Sequence, residues 1–199
     1  DKTCADEANA LCQQENVTLF MLLHAAFSVL LSRYSNETDI VMGTPIANRE
    51  QEEVAGLIGF FVNTLVLRAE LANSESFSEL LAQSKKMLLD AYAHQQVPFE
   101  KIVERIQPER EQSHSPIFQV MLALQNNAQG ELDIPDLTLS PVVLSSKVAK
   151  FDLSLNVEES EQGLQLAWEY NSDIFDASTI AEMADNFSRL LAGLVNQPD

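Results

Sequence analysis

Ile58-Gly59-Phe60-Phe61-Val62-Asn63-Thr64-Leu65-Val66-Leu67-Arg68 reads as a β-strand opened by glycine, with a polar pair inside an apolar run. Asn is poorly suited to a strand, and a buried Asn63 amide costs free energy unless it is hydrogen-bonded. Asn63 therefore belongs either to a satisfied structural network or to a wall that faces a polar cavity.

Outward from this strand the hydrophobic pattern switches between helical and strand periods. Upstream, residues 3–14 read as a short helix with Thr3 at its N-cap and Asp6 in the first turn. From Thr18 to Tyr34, a stripe of Leu19, Leu22, Leu23, Ala26, Phe27, Leu30, Leu31 and Tyr34 follows helical spacing, with His24 beside it. Asp39 to Pro45 reads as a strand ended by Gly and Pro, and a polar connection from Ala47 to Glu53 leads to a strand over Phe60 to Glu70. Downstream, Ser76-Phe77-Ser78-Glu79 is a capping box. It opens a helix with Phe77, Leu80, Leu81, Ser84, Leu88 and Ala91 on one side, which should stop near His94 because Pro98 disfavours helical geometry before it. Pro98 suits the first position of a second helix over Phe99 to Ile106.

After a polar loop from Gln107 to Ser115 the period becomes two. Phe118, Val120, Leu122 and Leu124 are expected to oppose Gln119, Met121, Ala123 and Gln125. Asn126 to Asp136 is turn-rich, and Leu137 to Leu144 is a weaker strand broken by Pro141. Two alternating runs, Phe151 to Val157 and Leu164 to Tyr170, are joined by the polar link Glu158 to Gly163 and predict an antiparallel hairpin. Asp176 then caps a final helix carrying Ile180, Met183, Phe187, Leu190, Leu191 and Leu194. No internal repeat or low-complexity linker interrupts the pattern. The expected fold class is α/β, in the layered α+β sense: one unit of 199 residues with a mixed β-sheet and helices packed on it.

Composition bounds the function. An apolar fraction of 46% fits a globular chain with a filled core. No apolar run reaches the roughly 18 residues a bilayer span needs, since Leu19 to Leu31 is interrupted by His24 and Ser28. No basic-then-apolar export signal is visible, and the chain opens in charged sequence without an initiator Met, as an excised piece would. A net charge of −18 disfavours nucleic acid and anionic membranes as partners. Lys85, Lys86, Lys101, Arg105 and Arg110 cluster centrally, as either a solvated helix face or a local docking patch. Cys4 and Cys12 lie on one helix about two turns apart, too far to bridge, and read as reduced thiols of a cytosolic protein.

The reactive inventory is thin. His24, His94 and His114 are well separated and belong to no HExxH-like metal pattern. There is no GxSxG elbow and no phosphate-cradling glycine loop. Glu52-Glu53 and Glu158-Glu159 read as solvated surface. No catalytic residue, metal site or directly bound cofactor is expected, and the chain reads as a scaffold or half-site.

Three ordered segments resemble motifs of the condensation domains of non-ribosomal peptide synthetases. Ile58 to Arg68 is close to the family's (I/V)GxFVNT…R pattern. His94-Gln95-Gln96-Val97-Pro98-Phe99-Glu100 is similar to HQDxPFE, with Gln96 where Asp is usual. Arg110-Glu111-Gln112-Ser113-His114-Ser115-Pro116-Ile117 is similar to RDxSRNPL, with Glu111, His114 and Ser115 replacing Asp, Arg and Asn. Gly43 to Arg49 (GTPIANR) and Phe118-Gln119-Val120-Met121 are also typical of the family.

The resemblance implies a chloramphenicol-acetyltransferase-like half-domain, with residues 1–199 as the C-terminal subdomain. The family's catalytic HHxxxDG would lie in the N-terminal lobe, and this chain has no adjacent histidine pair. Such domains join carrier-bound donor and acceptor through a peptide bond in a tunnel between two lobes. On that analogy this chain supplies one tunnel wall. Its partners are the missing N-terminal lobe, donor and acceptor peptidyl carrier proteins and adjacent synthetase domains, in the cytoplasm, with the carriers' phosphopantetheine arms entering as substrate.

The resemblance implies that Asn63 is the substrate-binding residue, facing the tunnel and bonding substrate or pantetheine amides. Arg68 is an internal ion-pair partner, the His94 to Glu100 turn fixes the junction of two helices, and Ser113 and Pro116 shape the approach to the Phe118 strand. The isolated chain is expected to be inactive. Two alternatives remain open, a non-catalytic lobe that only binds carrier proteins and a fragment of an epimerization domain. The epimerization reading is the weaker, because those domains depart from FVNT at this strand.

Overall fold

Helix α1 (Lys2–Gln14) and helix α2 (Leu19–Ser35) open the chain in a computed structural model that describes residues 2–49, 52–73, 76–108, 115–125 and 148–197. The expected turn-rich 126–136, the weaker strand 137–144 and residues 110–114 of the third motif, Ser113 and His114 among them, lie outside the described residues. Helix α1 begins at Lys2, so Thr3 is a helical residue and not the N-cap. Thr18 caps α2: its Oγ1 accepts the Met21 N–H at 3.3 Å, satisfying an orphan donor of the first turn. Asn36, in the left-handed region at φ 59°, ends that helix. Helix α2 is buried well beyond the expected stripe. Phe20, Met21, His24, Ala25 and Ser28 are also enclosed, while Tyr34 is exposed.

Strand β1 (Asp39–Ile46), the short helix α3 (Glu52–Ala55) and strand β2 (Asn63–Glu70) follow. The polar connection thus holds one helical turn, and the second strand starts at Asn63, three residues later than its apolar pattern suggests. The reason is pairing: β1 and β2 run antiparallel with Ile46 opposite Asn63, so residues 58–62 have no partner strand once β1 has ended. Helix α4 (Phe77–Ala93) is capped by Ser76, whose Oγ accepts the Glu79 N–H at 3.3 Å, and closes at His94. Helix α5 (Phe99–Ile106) has Pro98 as its N-cap, one position before the expected first-turn placement.

Strands β3 (Val120–Gln125), β4 (Leu153–Ser160) and β5 (Gly163–Tyr170) and helix α6 (Ala177–Asn196) complete the unit. The strands form a five-stranded mixed sheet in the order β2–β1–β3–β4–β5, with β1, β3 and β4 parallel and the outer strands antiparallel. The expected hairpin is β4–β5, with Ser160 opposite Gly163 across a two-residue turn. Asp176 sits at the N-cap of α6, but its side chain makes no capping bond.

Side chains alternate across this sheet as the period of two requires. Ile40, Met42, Leu65, Leu67, Leu122, Leu153, Leu155 and Val157 turn to one side, where they join the buried faces of α2, α4 and α6 in one core. Phe27, Trp168 and Phe187 meet edge-to-face there, with centroids 5.8–6.1 Å apart. Phe118 departs from its expected face. It lies outside β3 against Gly43, on the opposite side of the sheet from Met42 and Thr44. Phe118 also contacts Phe99 and Phe151 at 5.6 and 5.5 Å between centroids, making a small second cluster. A Cβ on Gly43 would stand 2.4 Å from the Phe118 ring, so only glycine admits this approach.

Candidate functional site

Asn63 opens β2 at the end of the sheet where β1 finishes, and its side chain ties two helices to that strand. Its Nδ2 donates to the carbonyls of Gln95 at 2.9 Å and Val97 at 2.8 Å, and its Oδ1 accepts the Phe99 N–H at 3.1 Å. These bonds answer a local deficit. The α4–α5 turn leaves carbonyls without helical partners, and Pro98 has no side-chain acceptor with which to cap α5. A strand residue supplies that cap from outside. Both amide hydrogens are committed, so only the second lone pair of Oδ1 remains for another donor.

The 57–62 segment immediately before Asn63 is held from behind by Arg49. Its Nη1 donates to the carbonyls of Val54 at 2.6 Å and Leu57 at 2.7 Å, and its Nη2 to Gly59 at 3.4 Å. The same guanidinium lies 4.4 Å from the centroid of the Phe61 ring. A Cβ on Gly59 would come within 2.8 Å of the Phe61 ring, so the glycine lets that ring lie close to the backbone. Phe61 is half-buried, while Leu57, Ile58, Phe60 and Val62 are exposed, Ile58 and Phe60 almost wholly, at 105% and 92%. Val97, whose carbonyl binds Asn63, is also exposed.

The remaining candidates lie apart from this junction. Arg68 forms a bidentate pair with Asp39 at 2.9 and 2.8 Å and reaches Glu70 at 3.0 Å. It is an ion-pair partner as expected, but on the surface, where the guanidinium holds the Asp39 carboxyl below its usual range. His24 is fully enclosed. Its Nδ1 sits 2.8 Å from Ser84 Oγ, which donates to the Met21 carbonyl at 3.2 Å. Ser84 has one proton, so that network assigns the hydrogen on Nδ1 to His24 and leaves Nε2 unpartnered among the described residues. Burial lowers the His24 pKa to about 4, which keeps it neutral. It flanks a groove of about 380 Å³ between β2 and α4 that Arg68, Glu70, Lys86 and Asp90 also line.

His94 is exposed at the end of α4. Of the basic cluster, Lys86, Lys101 and Arg105 are exposed and Lys85 is half-buried, with Lys101 paired to Glu104 at 2.7 Å. Cys4 and Cys12 are free thiols, the latter raised to about 11 by burial. Among the described residues no three His, Cys, Asp or Glu side chains gather as a metal site would require, and no single helix is long and apolar enough to cross a membrane.

Sequence reasoning brought together Asn63 and the 94–100 turn only through shared family likeness. It did not find the Arg49 clamp. The available signal was the arginine that ends the Gly43 to Arg49 stretch, ahead of the apolar run from Leu57 to Val62.

The family model described as "Condensation domain" matches residues 1–199. A linear gramicidin synthase from Brevibacillus parabrevis is 45% identical over 195 residues, which is 97% of this chain and 4% of that protein. The chain therefore spans a small fraction of the curated relatives it matches. A four-domain non-ribosomal peptide synthetase solved with AMP and glycine shares 25% identity at a TM-score of 0.87, covering all of this chain and 16% of that one. The X-domain from teicoplanin biosynthesis, solved in complex with OxyB, shares 26% identity at a TM-score of 0.88, covering all of this chain and 44% of that one.

Proposed function

This chain belongs to the condensation-domain family of non-ribosomal peptide synthetases, and we propose that it forms the C-terminal lobe of such a domain. The observation that carries the reading is one of proportion. The whole chain superposes on less than half of a related solved chain, and the junction built by Asn63 lies on motifs that resemble the family's C-terminal half. The other lobe would bring the HHxxxDG histidines. Donor and acceptor would arrive on phosphopantetheine arms of carrier proteins from neighbouring domains.

In that tunnel the acceptor amine attacks the donor thioester carbonyl. A C–N bond forms, the C–S bond breaks, and the amine proton passes by way of the upstream histidine to the departing pantetheine thiolate. This lobe contributes a wall and no proton-handling group. Asn63 acts on the wall chiefly by fixing the 95–99 turn, and it meets substrate through the free lone pair of Oδ1, which can accept one amide N–H. The chain would work in the cytosol, as part of a multidomain synthetase.

The test is peptide-bond formation by the complete domain with carrier-bound donor and acceptor, set beside this chain alone. Turnover by the complete domain and none by the isolated chain is the expected result. Turnover by the isolated chain would overturn it. Likeness to an X-domain solved with a protein partner favours one second reading, a lobe that binds partners without catalysis. Carrier binding by the complete domain without any turnover would select that reading instead.

A further inference from the structure

The groove between β2 and α4 gathers three kinds of polar group that the described residues leave unanswered. The first is His24, which lines the groove and is fully enclosed. With its Nδ1 hydrogen given to Ser84, its Nε2 is a bare acceptor without a partner. A buried acceptor in that state calls for a donor from outside the chain.

The second is backbone. The Leu71 N–H donates to the Thr38 carbonyl at 2.8 Å, which makes those two residues a bonded pair in the β1–β2 register. Bonded and non-bonded pairs alternate, so Leu67 and Ala69 spend their N–H and C=O on β1, while Arg68 turns both outward. Strand β2 is the edge of the sheet, and Arg68 lines the groove. The third is charge. Lys86 and Asp90, both exposed, line the groove one helical turn apart, and neither has an ion pair among the described residues. Arg68 and Glu70, by contrast, already pair with each other.

These groups surround about 380 Å³, within the size range of small-ligand sites. They ask for a carboxylate, an ammonium and an amide in one molecule. Side chains four apart on a helix start about 5–6 Å from each other, and two extended residues span at most about 7 Å. We propose that the groove is a binding site for a free dipeptide carrying an apolar side chain. Its carboxylate meets Lys86, and its ammonium is shared between Asp90 and the Nε2 of His24. Its amide pairs with the outward N–H and C=O of Arg68, and its apolar side chain lies against Leu80 and Met87, which also line the groove. The site lies wholly within this chain and stands whichever lobe the chain forms.

Isothermal titration calorimetry of glycyl-leucine into the complete domain tests it. The expected result is saturable one-site binding that weakens about tenfold in Lys86→Gln, as loss of one charged contact gives. Binding should vanish in His24→Phe, which keeps an enclosed ring but removes the acceptor. N-acetylglycyl-leucine and glycyl-leucinamide, each lacking one terminal charge, should also bind about tenfold more weakly. No saturable binding would overturn the proposal, as would unchanged affinity in Lys86→Gln or equal affinity for the blocked peptides. Binding in the tunnel would persist in both variants and would likewise overturn it. Circular dichroism checks that His24→Phe is folded; if it is not, Lys86→Gln, on the exposed side of α4, decides the matter. Peptide-bond formation is not the readout, so failure here leaves the lobe assignment intact.

Discussion

The Oδ1 of Asn63 accepts the backbone N–H of Phe99 at 3.1 Å, so the first residue of a strand caps a helix that begins 36 residues later. Pro98 could not do this itself, and the α4–α5 junction consequently depends on β2.

Replacing Asn63 by Ala should cost the isolated chain about 1–3 kcal/mol, since it strands two carbonyls and an N–H at a partly buried turn. Asn63→Asp keeps the acceptor for Phe99 but sets a carboxylate against the carbonyls of Gln95 and Val97, so it should not rescue the loss. In the complete domain, Asn63→Ala should lower turnover further than the stability loss accounts for. Chemical denaturation and turnover measured side by side decide this, and matched losses would make Asn63 purely structural.

His24 should make stability rise with pH over the acid range. Its folded pKa of about 4 lies below its ordinary 6.5, so between those values the unfolded chain binds a proton that the folded chain refuses. The contribution is complete above about pH 6.5 and falls away as pH drops toward 4, by about 3 kcal/mol in all. His24→Leu should remove that slope, and Ser84 would still donate to the Met21 carbonyl. Urea midpoints from pH 4 to 7 for both proteins are the measurement, and parallel slopes would refute it.

Gly43→Ala should destabilise by about 1–3 kcal/mol through collision with Phe118. Phe118→Leu costs stability alone but should recover part of the Gly43→Ala loss, because the collision is with the ring edge. Strict additivity in this double-mutant cycle would place the two residues out of contact.

The isolated chain should self-associate with rising concentration, because the 57–62 ridge stands uncovered. Light scattering should show Ile58→Ser with Phe60→Ser shifting the protein toward monomer. A wild-type chain that stays monomeric at high concentration would contradict this.

Much of the architecture is legible in the sequence. The capping box at Ser76 and the proline at 98 bracket α4 and α5 to within a residue, because caps and prolines act on their own backbone. The β4–β5 hairpin follows from alternation about a polar link. Errors fall where structure depends on a neighbour distant in sequence. The apolar run from Phe60 to Val62 looks like strand but has nothing to pair with, since β1 ends opposite Asn63. Phe118 looks like a strand residue facing the main core but turns to the other side, into room left by Gly43.

The candidate site divides along the same line. Local sequence identified a polar residue inside an apolar run and two helices meeting at a proline, and ordered motifs identified the family. Only the tertiary structure joined Asn63 to the 95–99 turn and Arg49 to the carbonyls behind an exposed ridge. Propensity, capping and alternation are decided by neighbours along the chain, and so they can be read from it. A hydrogen bond between residues 32 to 36 positions apart is decided by which strands pair and where they stop, and no local pattern records that.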